Sequence, residues 1–389
     1  MNQTRLSNSS SIVATRATPE PFDTSYTRIR RELAQYAHRH SHRGILEFVT
    51  DIAIICVLFL IVLFAPMLWV KALASVALGF REAIVMVIAH DAAHGNTTPN
   101  KSLNKLIAVV GFLPSYFNYQ LWLYDHNQTH HVRTNDAHPD LYRPFSKAEY
   151  DALPAWRQYL ERLYRTPLGL CLYYPFERFL QYKLFPNDNF PKAIHGAAWC
   201  HFALISAYAA ALFSFLVVIA PSIAHISSTQ AVVLGMVIPF FVSTTTFTFT
   251  TYLQHTHPEI PWFKSDIDRR IVRQEDITPN VVMPRWYNFV SHNIQEHTCH
   301  HVNSKIPYYN AGHAQKRLVE LMGGQAVTTE FTFRWFLKCM RVCKLYDFEN
   351  HRWIDWDGTP LTGTLLKPHV LQRMREATSE RERCYALAS

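Results

Sequence analysis

Four long apolar blocks limit what this 389-residue chain can fold into. Gly44 to His90 forms one apolar region, interrupted at Pro66, Lys71 and the Arg81-Glu82 pair, long enough for two spans of about 20 residues each. A second pair lies at about 196–220 and 230–253, joined by Ser222-Ile-Ala-His-Ile-Ser-Ser-Thr229, which carries no Asp, Glu, Lys or Arg. The expected fold is therefore an all-α integral membrane protein: four transmembrane helices in two hairpins, at about 46–65, 67–89, 196–220 and 230–253. A cytosolic helical cap is expected to carry the polar chemistry. Residues 1–44 form an amino-terminal arm, 45–321 the membrane domain and 322–389 a cytosolic carboxy-terminal region.

Charge orients these spans. Seven Arg lie in residues 1–44, 11 Lys or Arg in 90–193 and 18 beyond residue 254, whereas Lys71 alone falls in the other turns. The positive-inside bias thus puts both termini and the central segment in the cytoplasm, in a bacterial inner membrane. Arg81 and Glu82 are costly at the bilayer centre, so the second span is expected mainly before them, its helix continuing into the cytosol; burial of Arg81 within the membrane is the alternative. The net charge of +8 has no nucleic-acid module behind it and flanks the apolar blocks, which favours a lipid surface and excludes a nucleic-acid partner.

The first 25 residues lack the apolar core of a signal peptide; they read as a polar tail or, from their Arg and Ser content, as a transit-like sequence. Seven scattered cysteines form no disulfide framework. Trp156, Tyr159, Leu160, Leu163 and Tyr164 recur at helical spacing among charges, as on a helix at headgroup level or one packed on the cytosolic domain.

Histidine is the unusual count, 21 residues, many of them clustered. His90-Asp-Ala-Ala-His94 ends the second block, with both imidazoles on one helix face. His126-Asn-Gln-Thr-His130-His131 offers a second i,i+4 pair, with His131 turned by about 100° toward a further metal. His297, His300 and His301 repeat the logic, and His255 and His257 follow the fourth block. All stand on one face of the membrane, too many nitrogens for one tetrahedral ion but enough for two metals. HExxH and CxxC zinc patterns are absent. Asp91, Asp125, Gln254, Asn293 and Glu296 are candidates to accept the imidazoles' other N–H, with Asp125 and Glu296 preferred. Cys299 is read as a spacer that points away from the ligand face.

HDAAH, HNQTHH and HTCHH resemble the three histidine boxes of the membrane fatty acid desaturase superfamily, over roughly residues 45–315. TYLQHTHP and HNIQEH resemble its acyl-lipid Δ12 (omega-6) branch, although the first box is HDAAH rather than HECGH. The resemblance implies a non-haem centre of two Fe ions held by His90, His94, His126, His130, His131, His255, His297, His300 and His301, with His257 a less certain neighbour. It also implies O2 as co-substrate and removal of two hydrogens from membrane-lipid acyl chains to leave a cis double bond. Hydroxylases share these boxes, so lipid or hydrocarbon hydroxylation is the alternative. A histidine-rich metal transporter is the rival from another class, but the spans offer little beyond Thr244–Thr246 and His201. Neither a Rossmann fingerprint nor a cytochrome b5 haem motif is present, and His138-Pro139-Asp140 is no substitute. Electrons are therefore expected from a separate carrier, ferredoxin or cytochrome b5 with its reductase.

Overall fold

The computed structural model describes residues 24–137, 141–264 and 271–376. The expectations for the amino-terminal tail and for His138-Pro139-Asp140 lie outside the described residues. The architecture is helical, with two short two-stranded sheets in the cap. Four helices are long and apolar enough to cross a membrane: His42–Phe64, Leu68–Ala93, Lys192–Ile223 and Ser228–His255. The second is the central one, with 67 % of its apolar window buried against 11 % for the first and third. Its neighbours are the first span, the fourth span and the helix Lys101–Phe112.

The spans cross closely at Gly79. A Cβ built there would stand 2.5 Å from the carbonyl oxygen of Pro239 and 2.8 Å from Cβ of Val242, so only glycine permits this approach of the second and fourth spans. The third and fourth spans each contain one π-wound turn, Phe215–Ile219 and Val233–Val237, followed closely by Pro221 and Pro239. Proline cannot donate to the helix ladder, and neighbouring hydroxyls satisfy carbonyls near these breaks. Ser228 donates to Val217 O (2.9 Å) and Ser75 to Leu234 O (2.6 Å).

The second helix continues through its charged residues, as the sequence leads one to expect. The helix runs unbroken from Leu68 to Ala93, and Arg81 pairs with Asp51 of the first span at 2.5 Å. His292 Nε2 lies 2.9 Å from the same carboxylate. The charge is compensated side-on. Lys71, expected in a connecting turn, is buried in the first turn of the second span, donating to Leu63 O (2.6 Å) at the end of the first.

The described residues beyond 321 pack against the rest of the chain. Thr328–Glu330 pairs in parallel with Asn280–Val282, and Phe336, Cys339, Met340, Tyr346 and Trp353 share one apolar core with Met86, Trp122 and Tyr252. On Ala155–Tyr164, Trp156 and Tyr159 are exposed while Tyr164 is buried and Glu161 pairs with Arg157, so the helix both packs and presents an aromatic face.

Candidate metal centre

The elements that end beside one another at one end of the bundle bring nine imidazoles into two groups. His90, His94, His126, His131 and His300 form the first, and His130, His255, His297 and His301 the second. Within each group the candidate ligand atoms all lie within 4.8 Å of one another. His90 and His255 stand in the last turns of the second and fourth spans, and His297, His300 and His301 on the short helix His297–Val302.

The second cluster is divided differently from the expected pairing. Asp125–His130 is π-wound, and His131 N–H bonds to His126 O five residues back (3.0 Å). His126 therefore shares a group with His131, their Nε2 atoms 3.0 Å apart, and His130 is the one that joins the other group. An α-helix would favour the opposite choice; single π turns recur at functional sites for this reason.

The nitrogen lone pairs converge. His90 Nδ1 sits 2.9 Å from Asp91 Oδ1; an ionised carboxylate only accepts, so Nδ1 carries the proton and Nε2 is bare. That Nε2 lies 2.9 Å from His126 Nε2. His301 Nδ1 is 3.0 Å from Gln274 Oε1, whose amide nitrogen donates to His131 O, so its Nε2 is likewise bare, 2.9 Å from His297 Nε2. His131–His300 and His255–His297 approach to 3.1 Å. His94 Nε2 is buried with no hydrogen-bond partner among the described residues. Burial first, then neighbouring imidazoles, hold His94, His126, His131, His297, His300 and His301 well below the usual imidazole range, hence neutral. Converging bare nitrogens call for a cation between them. Metal–imidazole bonds of about 2.1 Å set ligands about 3.0 Å apart at right angles and about 3.4 Å apart in a tetrahedron. The five closest pairs, at 2.9–3.1 Å, lie within the range that ligands of one metal ion span.

His257 stands apart from both groups. Its Nε2 lies 3.0 Å from Thr329 Oγ1, its Nδ1 accepts from Glu259 N–H (3.0 Å), and burial, with Lys367 and Lys338, pushes it down to about 4. Asp125 pairs with Lys183 and lies 3.6 Å from Arg178, so its charge is engaged by cations. Glu296 accepts from Asn288 (2.9 Å), and burial pushes it up to about 7. The carboxylate that orients an imidazole is Asp91, which also accepts from Tyr308 N–H at 2.5 Å. Gln254 donates to Ile294 O (2.8 Å) and Asn293 to Tyr308 O (3.4 Å). Cys299 is fully buried in the apolar cluster of Leu33, Val302 and Leu318, away from both groups. Gln274 belongs to no motif and carries no sequence signal; Trp122, stacked on His126 at 4.3 Å, could have been noticed from its i,i+4 spacing.

A narrow apolar cavity of about 60 Å³ runs from His90, His126, His130, His255 and His297 down between the second and fourth spans. Ala83, Met86 and Val87 wall one side and Thr246, Phe247 and Thr250 the other. A flexible hydrocarbon lying there would be held beside both histidine groups.

Residues 66–333 match the family model for fatty acid desaturase. Over 301 residues, 73 % of this chain, it is 26 % identical to a Glycine max protein named omega-6 fatty acid desaturase, chloroplastic; the match spans 63 % of that protein, less than two thirds of its length. It is 26 % identical over 275 residues to the sn-1 oleoyl-lipid 12-desaturase of a Picosynechococcus species (68 % of this chain, 74 % of the relative). It is 27 % identical over 247 residues to the sn-1 acyl-lipid omega-3 desaturase (ferredoxin) of a Synechocystis species (61 % and 64 %). With that model covering more than half of its length, and histidine groups and an apolar cavity inside the matched region, the chain belongs to the fatty acid desaturase family.

Proposed function

We propose that this protein is an O2-dependent desaturase that introduces a cis double bond into acyl chains of membrane lipids, at the Δ12 (omega-6) position. The observation that carries this reading is the placement of two histidine groups at the head of an apolar cavity between two membrane-spanning helices. The position of the bond rests on the names of the plant and cyanobacterial relatives.

His90, His94, His126, His131 and His300 would hold one iron and His130, His255, His297 and His301 the other. Bound there, the iron pair supplies O2 activation and removal of hydrogen from an unactivated methylene. The chain's own residues do the rest. Asp91 and Gln274 fix the tautomers of His90 and His301, so that both present Nε2. The cavity walls confine the chain to an extended path and exclude water from the reacting methylenes. Two electrons per turnover come from a separate carrier, ferredoxin or cytochrome b5 with its reductase; one relative's name includes ferredoxin. Both termini and the histidine groups face the cytoplasm, and the membrane is a bacterial inner membrane.

Expression in a host that makes saturated and monounsaturated lipids, followed by gas chromatography and mass spectrometry of derivatised lipids, tests the reading. A new cis bond at Δ12 is expected. Hydroxylated chains would replace desaturation by oxygen insertion, and unchanged lipids with an active electron donor would sink the lipid assignment. His130→Ala and His300→Ala are expected to abolish product while the protein still inserts; His225→Ala, in the turn between the third and fourth spans, should stay active. Metal analysis of active protein should find two irons per chain.

A further inference from the structure

A second, larger hollow opens on the lipid-facing side of the first two spans. It is a groove of about 1020 Å³, far roomier than the cavity below the histidines. Its lower part is apolar, walled by Ile54, Leu58, Ala77 and Phe80, and its upper rim is charged. Arg43, on the rim, stands twenty-one residues before Phe64, about 32 Å along the first span, at the edge of a hydrocarbon core of about 30 Å. The rim thus lies at headgroup depth, with the apolar part below it.

The charges on that rim are unequal in their engagement. Arg81 is paired with Asp51, which His292 also touches, and Arg43 is bonded to Glu47 at 3.0 Å. Glu296 also faces the groove. Arg285 is exposed and has no ion-pair or hydrogen-bond partner among the described residues. Beside it Trp286 and Phe289 are 67 % and 84 % exposed, and Arg81 donates to Val290 O at the end of the same short helix (3.0 Å). An uncompensated guanidinium flanked by outward aromatics, over an apolar trough at interface depth, suits an amphiphile with an anionic head.

We propose that this groove is a binding site for a phospholipid of the surrounding bilayer, its phosphate held by Arg285 with Arg43 and one acyl chain lying along Ile54, Leu58, Ala77 and Phe80. The site borders the metal centre through one strand of backbone. His292, Asn293 and Glu296 line the groove, whereas Ile294 and His297 line the narrow cavity. His292 and Asn293 both hold left-handed backbone, at φ 52° and 56°, in the turn that separates the two hollows. The binding site stands independently of the reaction assigned to the histidine groups, and its test reads occupancy rather than turnover.

The test is photo-crosslinking of the full-length, metal-loaded protein in nanodiscs with a phosphatidylglycerol that carries a diazirine on one acyl chain. Adducts are expected on peptides containing Leu58 and Phe80. Arg285→Gln, which breaks no existing contact, should lower their yield about tenfold, the effect of losing one charge-assisted contact. A diacylglycerol with the same chains and no phosphate should label these peptides no more than other lipid-facing ones. Equal labelling by the two probes, or labelling unchanged in Arg285→Gln and in Arg43→Gln/Arg285→Gln, would mean annular lipid only and overturn the site. Protection by inorganic phosphate alone, matching that by unlabelled phosphatidylglycerol, would reduce it to an anion site and equally refute a lipid occupant.

Discussion

Asp91 joins two parts of the chain at the metal centre: one oxygen fixes the tautomer of His90 and the other accepts the Tyr308 amide. Outer partners of this kind are worth about 10- to 100-fold in metal affinity or activity. Asp91→Ala should lower iron per chain by that order in metal analysis after dialysis, with turnover falling in parallel; Gln274→Ala should do the same through His301. Full iron content in both variants would remove these residues from the centre. A different acid reports on pH. Burial, then the neighbouring Asp276, pushes Glu275 up to about 7, so it binds a proton more tightly folded than unfolded. Its protonated form stabilises the fold below about pH 4.5, and that contribution is lost as pH rises through 7. Glu275→Gln should therefore melt like the parent in mild acid and at a higher temperature above pH 8, as differential scanning fluorimetry would detect. The histidines were legible in the sequence as residue types at helical spacing. Which acid serves them was not, because Asp91, Asp125 and Glu296 look alike until Lys183 and Arg178 are seen to engage Asp125 and Asn288 to engage Glu296.

At the scale of elements, hydropathy was enough to reveal the four spans, since a run of apolar residues is the same signal in sequence and in structure. Winding was not. A π turn differs from an α turn by the shift of one hydrogen bond, with no composition of its own, yet at Asp125–His130 it decides which imidazoles share a group. The Asp51–Arg81 pair likewise needed both spans to be seen side by side. Arg81→Met strands a buried carboxylate and should cost about 3–5 kcal/mol, whereas Asp51→Leu/Arg81→Met should recover most of it. Urea titration of detergent-solubilised protein would measure both.

Across the whole molecule, the nine imidazoles come from four widely separated stretches of chain, so a bound metal would act as a cross-link between spans and cap. Ferrous iron at about a hundred times its dissociation constant should add about 2.7 kcal/mol, and a strong chelator should lower the melting temperature accordingly. The close crossing at Gly79 has a different consequence. It shuts the wedge between the second and fourth spans eleven residues before His90, about 16 Å away along the helix. A chain pushed down that wedge stops against a fixed wall, so the helix itself becomes a ruler, graduated in steps of about 1.5 Å per residue. On the proposed desaturase reading, the position of the double bond would then depend on the distance from the methyl end of the acyl chain. Gly79→Ala, which must push Pro239 aside, should move the stop and spread the product over neighbouring positions, whatever lipid carries the chain.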